Sequence, residues 1–163
     1  MNEADMLQRL QEHHRAIEAG LGNISRHCVA ASWDGPSLQA ERSRLTAVSI
    51  ARSRFVSEVV APAVLQQADD GLRTELSELW FVTVAKRMVS NDHIARWRAS
   101  AIEEDRAGYC AAHREIRTMM EAQMEFERCV LIARLQMSTS NKSVPASEME
   151  TVDVWPGNGV EDE

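Results

Sequence analysis

Histidine and carboxylate side chains recur on what would be the inner faces of helices, where they could bind a metal ion or form buried ion pairs. His14 lies in the segment LQEHHRAI, Glu58 in RFVSEVVAPAV and Glu127 in QMEFERCVLI. Imidazole nitrogens and carboxylate oxygens are common ligands for iron, zinc and manganese, and helical residues four apart present their side chains to the same side. These three residues are the first candidates for a functional site.

Cationic residues stand close to these candidates and favour a second interpretation. Arg54 precedes Glu58 by four residues, and Lys86 and Arg87 follow an apolar stretch. Arginine stays protonated and cannot bind a cation. A buried carboxylate requires a charged or hydrogen-bonding partner. Glu58 and Glu127 could therefore be buried carboxylates that are neutralised by Arg54 and by Lys86 or Arg87.

Other functional chemistry has little support in the sequence. It contains no Gly-rich phosphate loop and no nucleophile motif, so we expect no enzymatic activity. The formal net charge of -7 argues against a nucleic-acid partner, which would require clustered Lys and Arg. The absence of a run of about 18 apolar residues argues against a membrane partner and predicts a cytoplasmic protein. Cys28, Cys110 and Cys129 are predicted to be reduced, and most of them are predicted to be packing residues.

Apolar residues spaced by three and four predict helices over nearly the whole chain. A first helix spans roughly residues 7–28, and a second spans 38–67, with Pro62 loosening its last turns. A third begins near Leu72 and contains ELWFVTVA, which we expect to be packed on several sides. Asp105 is the predicted N-cap of a fourth helix that ends near Met137, and one continuous helix from Leu72 to Met137 is the alternative. Trp33, Trp80 and Trp97 are predicted to be packing anchors.

Four helices of about 25 to 30 residues with short connections predict an all-α fold, an up-down-up-down antiparallel four-helix bundle. In this topology one buried polar layer combines residues from all four helices. Its predicted members are His14, Arg54, Glu58, Thr83, Lys86, Arg87, Gln123 and Glu127.

The domain boundary is predicted at residue 137. Residues 1–137 would form the bundle, and residues 138–163 would form an acidic, disordered tail with one Lys against six acidic residues. The segment VDVWPG, around Trp155, is the predicted contact for an unknown protein partner.

Four segments resemble the hemerythrin-like HHE cation-binding domains, over roughly residues 5–137. LQEHHRAI is similar to the first helix of that family, and RFVSEVVAPAV stands where the family has His-Phe-x-x-Glu-Glu followed by a proline. QMEFERCVLI is similar to its last helix, and HIARWRASAIEEDRAGY to a passage of some bacterial members. The resemblance implies four antiparallel helices around a non-heme di-iron centre, with His14, Glu58 and Glu127 at ligand positions.

The sequence departs from the family pattern at other ligand positions. Arg54 and Gln123 stand where the family has histidine, and Thr83, Lys86 and Arg87 stand where its third helix supplies an imidazole. We therefore predict a depleted metal site, no bound cofactor, and a regulatory or interaction module. The alternative is a non-heme iron or other cation-binding protein that senses or carries oxygen, nitric oxide or iron. A third possibility is an unrelated helical bundle or coiled-coil oligomer.

Overall fold

The computed structural model describes residues 1–66 and 68–142, with side chains described as far as Met137, and this part of the chain is helical with no strand. The all-α prediction is confirmed. Two π-helical turns interrupt long helices, Val56–Val60 between α2 and α3 and Arg128–Ile132 between α6 and α7. The α-helices are α1 Glu3–Val29, α2 Gly35–Phe55, α3 Ala61–Leu65, α4 Asp70–Arg96, α5 Ala99–Glu104, α6 Arg106–Glu127 and α7 Ala133–Lys142.

Four of the helices begin at an Asn or Asp whose side chain accepts a hydrogen bond from a backbone N–H of the first turn. The predicted N-cap at Asp105 is confirmed, since its Oδ1 accepts from the Gly108 N–H at 2.8 Å. A continuous helix from Leu72 to Met137 is therefore wrong. The caps and their donors are Asn2 with Asp5, Asp34 with Ser37, Asp69 with Leu72 and Asp105 with Gly108.

An additional break at Trp97 ends α4 before the predicted position. The backbone of Trp97 leaves the helical region, and its indole is buried with an edge-on contact to Tyr109 at 5.7 Å between ring centroids. The Arg42 guanidinium donates to the carbonyl of Trp97. This bond satisfies a carbonyl that receives no N–H from the helix that has ended. The short helix α5 then connects to α6. The buried Trp97 thus redirects the chain without a glycine or a proline.

The π-helical turn before Pro62 follows from the chemistry of proline. Pro62 has no N–H to donate to the carbonyl of Glu58, and its ring crowds that carbonyl. The Ala61 N–H instead bonds to the carbonyl of Val56, five residues earlier. This wider turn buries Val56 and Val60 and leaves Glu58 exposed. The loosening that was predicted at Pro62 is therefore confirmed, although the inward direction predicted for Glu58 is wrong.

The buried apolar residues form three clusters along the helices. The largest joins the start of α1 to α3, the start of α4 and the second π-helical turn. The middle cluster contains Ile17, Leu21, Met120 and Met124. The third contains Ile24, Leu38, Trp97, Ile102 and Tyr109. Helix α1 contacts α2, α6 and α7, whereas α4 contacts α3 and α6.

The last described helix passes the predicted domain boundary at residue 137 and continues to Lys142. Residues 143–163, including Trp155 and most of the predicted tail, lie outside the described residues. None of the helices in the described ranges is long and apolar enough to cross a membrane.

Candidate functional site

A buried polar cluster surrounds Glu127, which has no exposed surface. The Nε2 atom of His14 lies 2.8 Å from Oε2 of Glu127, and the guanidinium of Arg52 bonds to Oε1. The side-chain amide of Gln123 donates to Oε1 at 3.2 Å and to the Thr83 hydroxyl at 3.4 Å. We call these five residues the Glu127 cluster. Side chains from α1, α2, α4 and α6 meet in it.

The electrostatics of the cluster favour an ionised Glu127. Burial opposes ionisation, but the hydrogen bond from His14 and the charge of Arg52 outweigh it, so the pKa of Glu127 lies below its ordinary value. Partial burial lowers the pKa of Lys86, whereas the nearby negative charge of Glu127 acts in the opposite direction. The cluster is therefore an internal ion pair supported by hydrogen bonds, with Arg52 as its cation in place of the predicted Lys86 or Arg87.

The predicted polar layer is confirmed for four of its members. His14, Thr83, Gln123 and Glu127 meet, although they are separated by many residues in sequence. Lys86 is half-buried beside them and makes no direct bond to the cluster.

The predicted roles of Arg54, Glu58 and Arg87 in this layer are wrong. Arg54 and Glu58 form an ion pair at the surface, with side chains 74% and 64% exposed and 3.5 Å between Nε and Oε1. Arg87 is also exposed. Arg52, which the sequence analysis missed, supplies the cation instead, with its side chain 5% exposed.

Two helical spacings predict different inner faces for α2. Starting at Val48, a spacing of three leads to the apolar Ala51, and a spacing of four leads to Arg52. The structure follows the second spacing, and Arg52, Phe55 and Val56 are buried while Ala51 is exposed. Hydrophobicity favoured Ala51 because a buried arginine is costly without a partner. The available signal was an acidic partner, Glu127, on a different helix.

The residues of the Glu127 cluster do not fit an iron centre. Glu58 is too exposed to join His14 and Glu127, so the three tentative ligands do not converge. His14 and Glu127 bond to each other, and a permanently charged guanidinium occupies the other carboxylate oxygen. Within residues 1–66 and 68–142, no three His, Cys, Asp or Glu side chains are grouped to hold a metal ion.

The cluster is incompletely hydrogen-bonded. Nδ1 of His14 and Nε of Arg52 are buried without a partner in the described part of the chain. Each of these atoms loses hydration without full compensation. This desolvation cost offsets part of the energy of the ion pair.

A second polar group lies beside the Tyr109 ring, away from the Glu127 cluster. His113 donates from Nε2 to the carbonyl of Leu21 at 3.3 Å, and its ring lies 6.4 Å from that of Tyr109. Burial together with Arg42 and His113 lowers the pKa of His93 to about 4. His113 thus bonds to the Leu21 carbonyl, whereas His14 bonds to Glu127.

The cysteines are all free, as predicted. Cys28 and Cys110 are half-buried and pack at the edge of the third apolar cluster, whereas Cys129 is exposed. Burial and the hydrogen bond with Cys110 raise the pKa of Cys28 to about 12, so its thiol is a poor nucleophile.

The outward side of α4 is the largest departure from the predicted packing. Leu72, Leu76 and Leu79 face the core, but the following apolar residues face outward. The segment ELWFVTVA is thus not packed on several sides, and Trp80 is not a core anchor, although Trp97 is buried. We call this surface the outer face of α4. Its large apolar residues and exposed fractions are Trp80 51%, Phe81 73%, Val82 39%, Val84 42%, Met88 64%, Val89 49% and Ile94 44%.

Comparison of the chain with protein-family models, with curated proteins and with solved structures gives no match. The resemblance to the hemerythrin-like domains therefore stays a prediction from short motifs.

Proposed function

We propose that this chain is a degenerate hemerythrin-like four-helix bundle that functions without a metal, as a protein-interaction module. Its binding surface would be the outer face of α4. The observation that carries this proposal is the exposure of Trp80, Phe81 and Met88 on one side of a single helix. Contiguous apolar surface of this kind marks interaction sites in soluble proteins.

The side-chain contacts support an up-down-up-down arrangement. Between α1 and α2, contacts run in opposite directions along the sequence, from Asn23 with Glu41 to His13 with Phe55. The same holds between α1 and α6, where His113 bonds to Leu21 and Glu127 to His14. The two contacts between α4 and α6 are also antiparallel, namely His93 with Tyr109 and Thr83 with Gln123.

The Glu127 cluster supports metal-independent function. Arg52 supplies the positive charge that a cation would otherwise provide to this carboxylate. The family resemblance would place a metal at this level of the bundle. An internal ion pair in place of a cation-binding layer would explain why His14 and Glu127 match the family pattern while its other histidines are missing. Protein binding through the outer face of α4 is then the function that the exposed apolar residues support.

Photo-cross-linking tests the proposal. Phe81 is replaced by p-benzoylphenylalanine in the full chain within cells, and Thr118, an exposed residue on α6, is replaced in a matched control. We expect a discrete protein adduct from position 81 and none from position 118. The adduct should persist in lysate treated with a chelator before irradiation.

Three results would overturn the proposal. No adduct at position 81 would exclude a protein-binding role for this face. Equal adducts at both positions would indicate non-specific collisions. An adduct that is lost with chelator would make the interaction metal-dependent.

A further inference from the structure

The outer face of α4 has a regular seven-residue spacing. The inward residues of α4 alternate in steps of four and three, from Leu72 through Leu76 and Leu79 to His93. The outward side therefore repeats in the same way. Its central line consists of Thr74, Ser77, Phe81, Val84, Met88, Asn91 and Ala95, all exposed.

The charged residues beside this line are separated by sign. Arg73 and Arg87 lie on one flank, one position before Thr74 and Met88. Glu78 and Asp92 lie on the other flank, one position after Ser77 and Asn91. All four are exposed, and none takes part in an ion pair within the described residues. The four side chains are thus available to a partner helix.

This charge pattern is complementary to a parallel copy of itself. When two identical helices run parallel, the flank before the seam on one helix meets the opposite flank on the other, offset by five residues. Arg73 would meet Glu78 of the second copy, and Arg87 would meet Asp92 of the second copy. In an antiparallel pair each flank meets the same flank of the other copy, so neither arginine would face a carboxylate. The signs therefore select the parallel orientation.

The exposed area is sufficient for such a contact. Taking about 150–250 Å² for a large side chain, the exposed fractions of Trp80, Phe81, Val84 and Met88 leave on the order of 400 Å² of apolar surface at the seam. This lies within the range of the largest patches on monomeric proteins, about 300–600 Å², which are often functional. Together with the flanking polar residues it approaches the roughly 800 Å² that each partner contributes to a standard interface.

We infer that the partner of the outer face of α4 is a second copy of this chain, bound in a parallel two-fold dimer with Phe81, Val84 and Met88 at its centre. This inference rests on the proposed function and names the partner. The two-fold axis runs between the two copies of α4 and parallel to them, so each central residue contacts the same residue of the other copy.

Sedimentation equilibrium of the full chain at several concentrations tests the interface. We expect a reversible monomer–dimer equilibrium that Phe81→Glu with Met88→Glu weakens by about tenfold or more. Val29→Glu, at an exposed position on α1, is the matched control and should leave the equilibrium unchanged. Circular dichroism checks that each variant stays helical. A wild-type chain that is monomeric throughout, or a double variant that dimerises as well as the wild type, would overturn the inference.

Charge reversal tests the orientation. Arg87→Asp and Asp92→Arg should each weaken the dimer, and the double variant should restore it because the pair between copies is reversed as a whole. In an antiparallel dimer Arg87 faces no carboxylate of the other copy, so a dimer that Arg87→Asp does not weaken would overturn the parallel orientation. In a chain carrying Cys129→Ser, Ser77→Cys should form a disulfide with its own copy under mild oxidation. A disulfide only in a mixture with an Asn91→Cys chain would indicate the antiparallel orientation.

The outcomes separate the inference from the proposed function. A monomeric chain whose position 81 cross-links to a different protein retains the interaction module and loses the second copy as its partner. A monomeric chain with no cross-link at position 81 removes both.

Discussion

Glu127 shows how a carboxylate is tolerated in the interior. It accepts from an imidazole, a guanidinium and a side-chain amide, and these partners come from three different helices. The hydrogen bonding of its partners is incomplete, because Arg52 and His14 each keep a buried polar atom without a partner among the described residues. Breaking a buried ion pair is costly, since one charge remains uncompensated, whereas replacing the whole pair by neutral groups is often neutral.

The energetic role of the pair is testable by a double-mutant cycle. Arg52→Met should lower the free energy of unfolding by about 3–5 kcal/mol because it strands the charge of Glu127. Glu127→Gln should cost a similar amount because it strands Arg52 while keeping a partner for His14. The double variant should recover most of the loss. Urea unfolding monitored by circular dichroism measures all three.

The exposed pair provides the control for this cycle. Arg54→Met and Glu58→Gln remove a surface ion pair at the same end of α2 and should each cost about 1 kcal/mol or less. Equal effects at the two pairs would mean that Glu127 is not buried with Arg52.

His93 makes stability depend on pH in the mildly acidic range. Burial, Arg42 and His113 lower its pKa from 6.5 to about 4. Between these values the unfolded chain binds a proton that the folded chain does not, so the free energy of unfolding should fall as pH falls below 6.5. His93→Gln should flatten this slope between pH 6.5 and about 5, above the range where most carboxylates protonate. Thr118→Ser, at an exposed position on α6, should keep the wild-type slope. An unchanged slope in His93→Gln would contradict the role assigned to His93.

At the scale of the helix, the residues at which helices begin were more predictable than the sides that the helices bury. The break before Asp105 follows from local chemistry, because an aspartate can accept from a free backbone N–H. The inner face of α2 depends on residues far away in sequence, and the spacing alone allowed both Ala51 and Arg52. The π-helical turn at Arg128–Ile132 had no local signal in the sequence, because α7, which follows it, contains no proline. This turn buries three successive residues.

The cap of α6 gives a prediction that changes sign with sequence context. Alanine normally stabilises a helix relative to glycine by up to about 1 kcal/mol. A Cβ atom on Gly108, however, would overlap Oδ2 of Asp105, so Gly108→Ala must displace the capping carboxylate. We expect Gly108→Ala to destabilise the wild type and to stabilise an Asp105→Ala chain, in which no carboxylate is present.

Thermal unfolding of the four chains tests the cap. Asp105→Ala alone should cost about 1 kcal/mol through loss of the cap, while Glu104→Ala, at the neighbouring exposed position, should have little effect. Stabilisation by Gly108→Ala in both backgrounds would show that the cap does not restrict residue 108.

At the scale of the whole molecule, the sequence predicted the helical class and the level of the polar layer but not the packing of α4. The level follows from where the turns lie, so His14, Thr83, Gln123 and Glu127 could be aligned from chain length alone. The segment around Phe81 is apolar on all sides, and such a segment is equally compatible with a buried helix and with one that binds a partner. Only the contacts of the other helices decide which surface stays open.

The relation to hemerythrin-like domains can be tested by restoring imidazoles to the polar layer. Arg52→His with Gln123→His would remove the competing cation and add two nitrogen donors around His14 and Glu127. If this layer corresponds to a cation-binding layer, the double variant should bind about one ferrous or zinc ion per chain, and the ion should raise its unfolding temperature because it binds only the folded chain. Metal analysis after dialysis and thermal unfolding with and without metal provide the measurements. The matched control is Arg54→His with Gln123→His, in which one imidazole lies at the surface and Arg52 remains. A folded Arg52→His, Gln123→His chain that binds no metal would make the resemblance coincidental, because four nitrogen and oxygen donors would then meet without the geometry of a metal site. Equal metal binding by the control would lead to the same conclusion, because the binding would not depend on this layer.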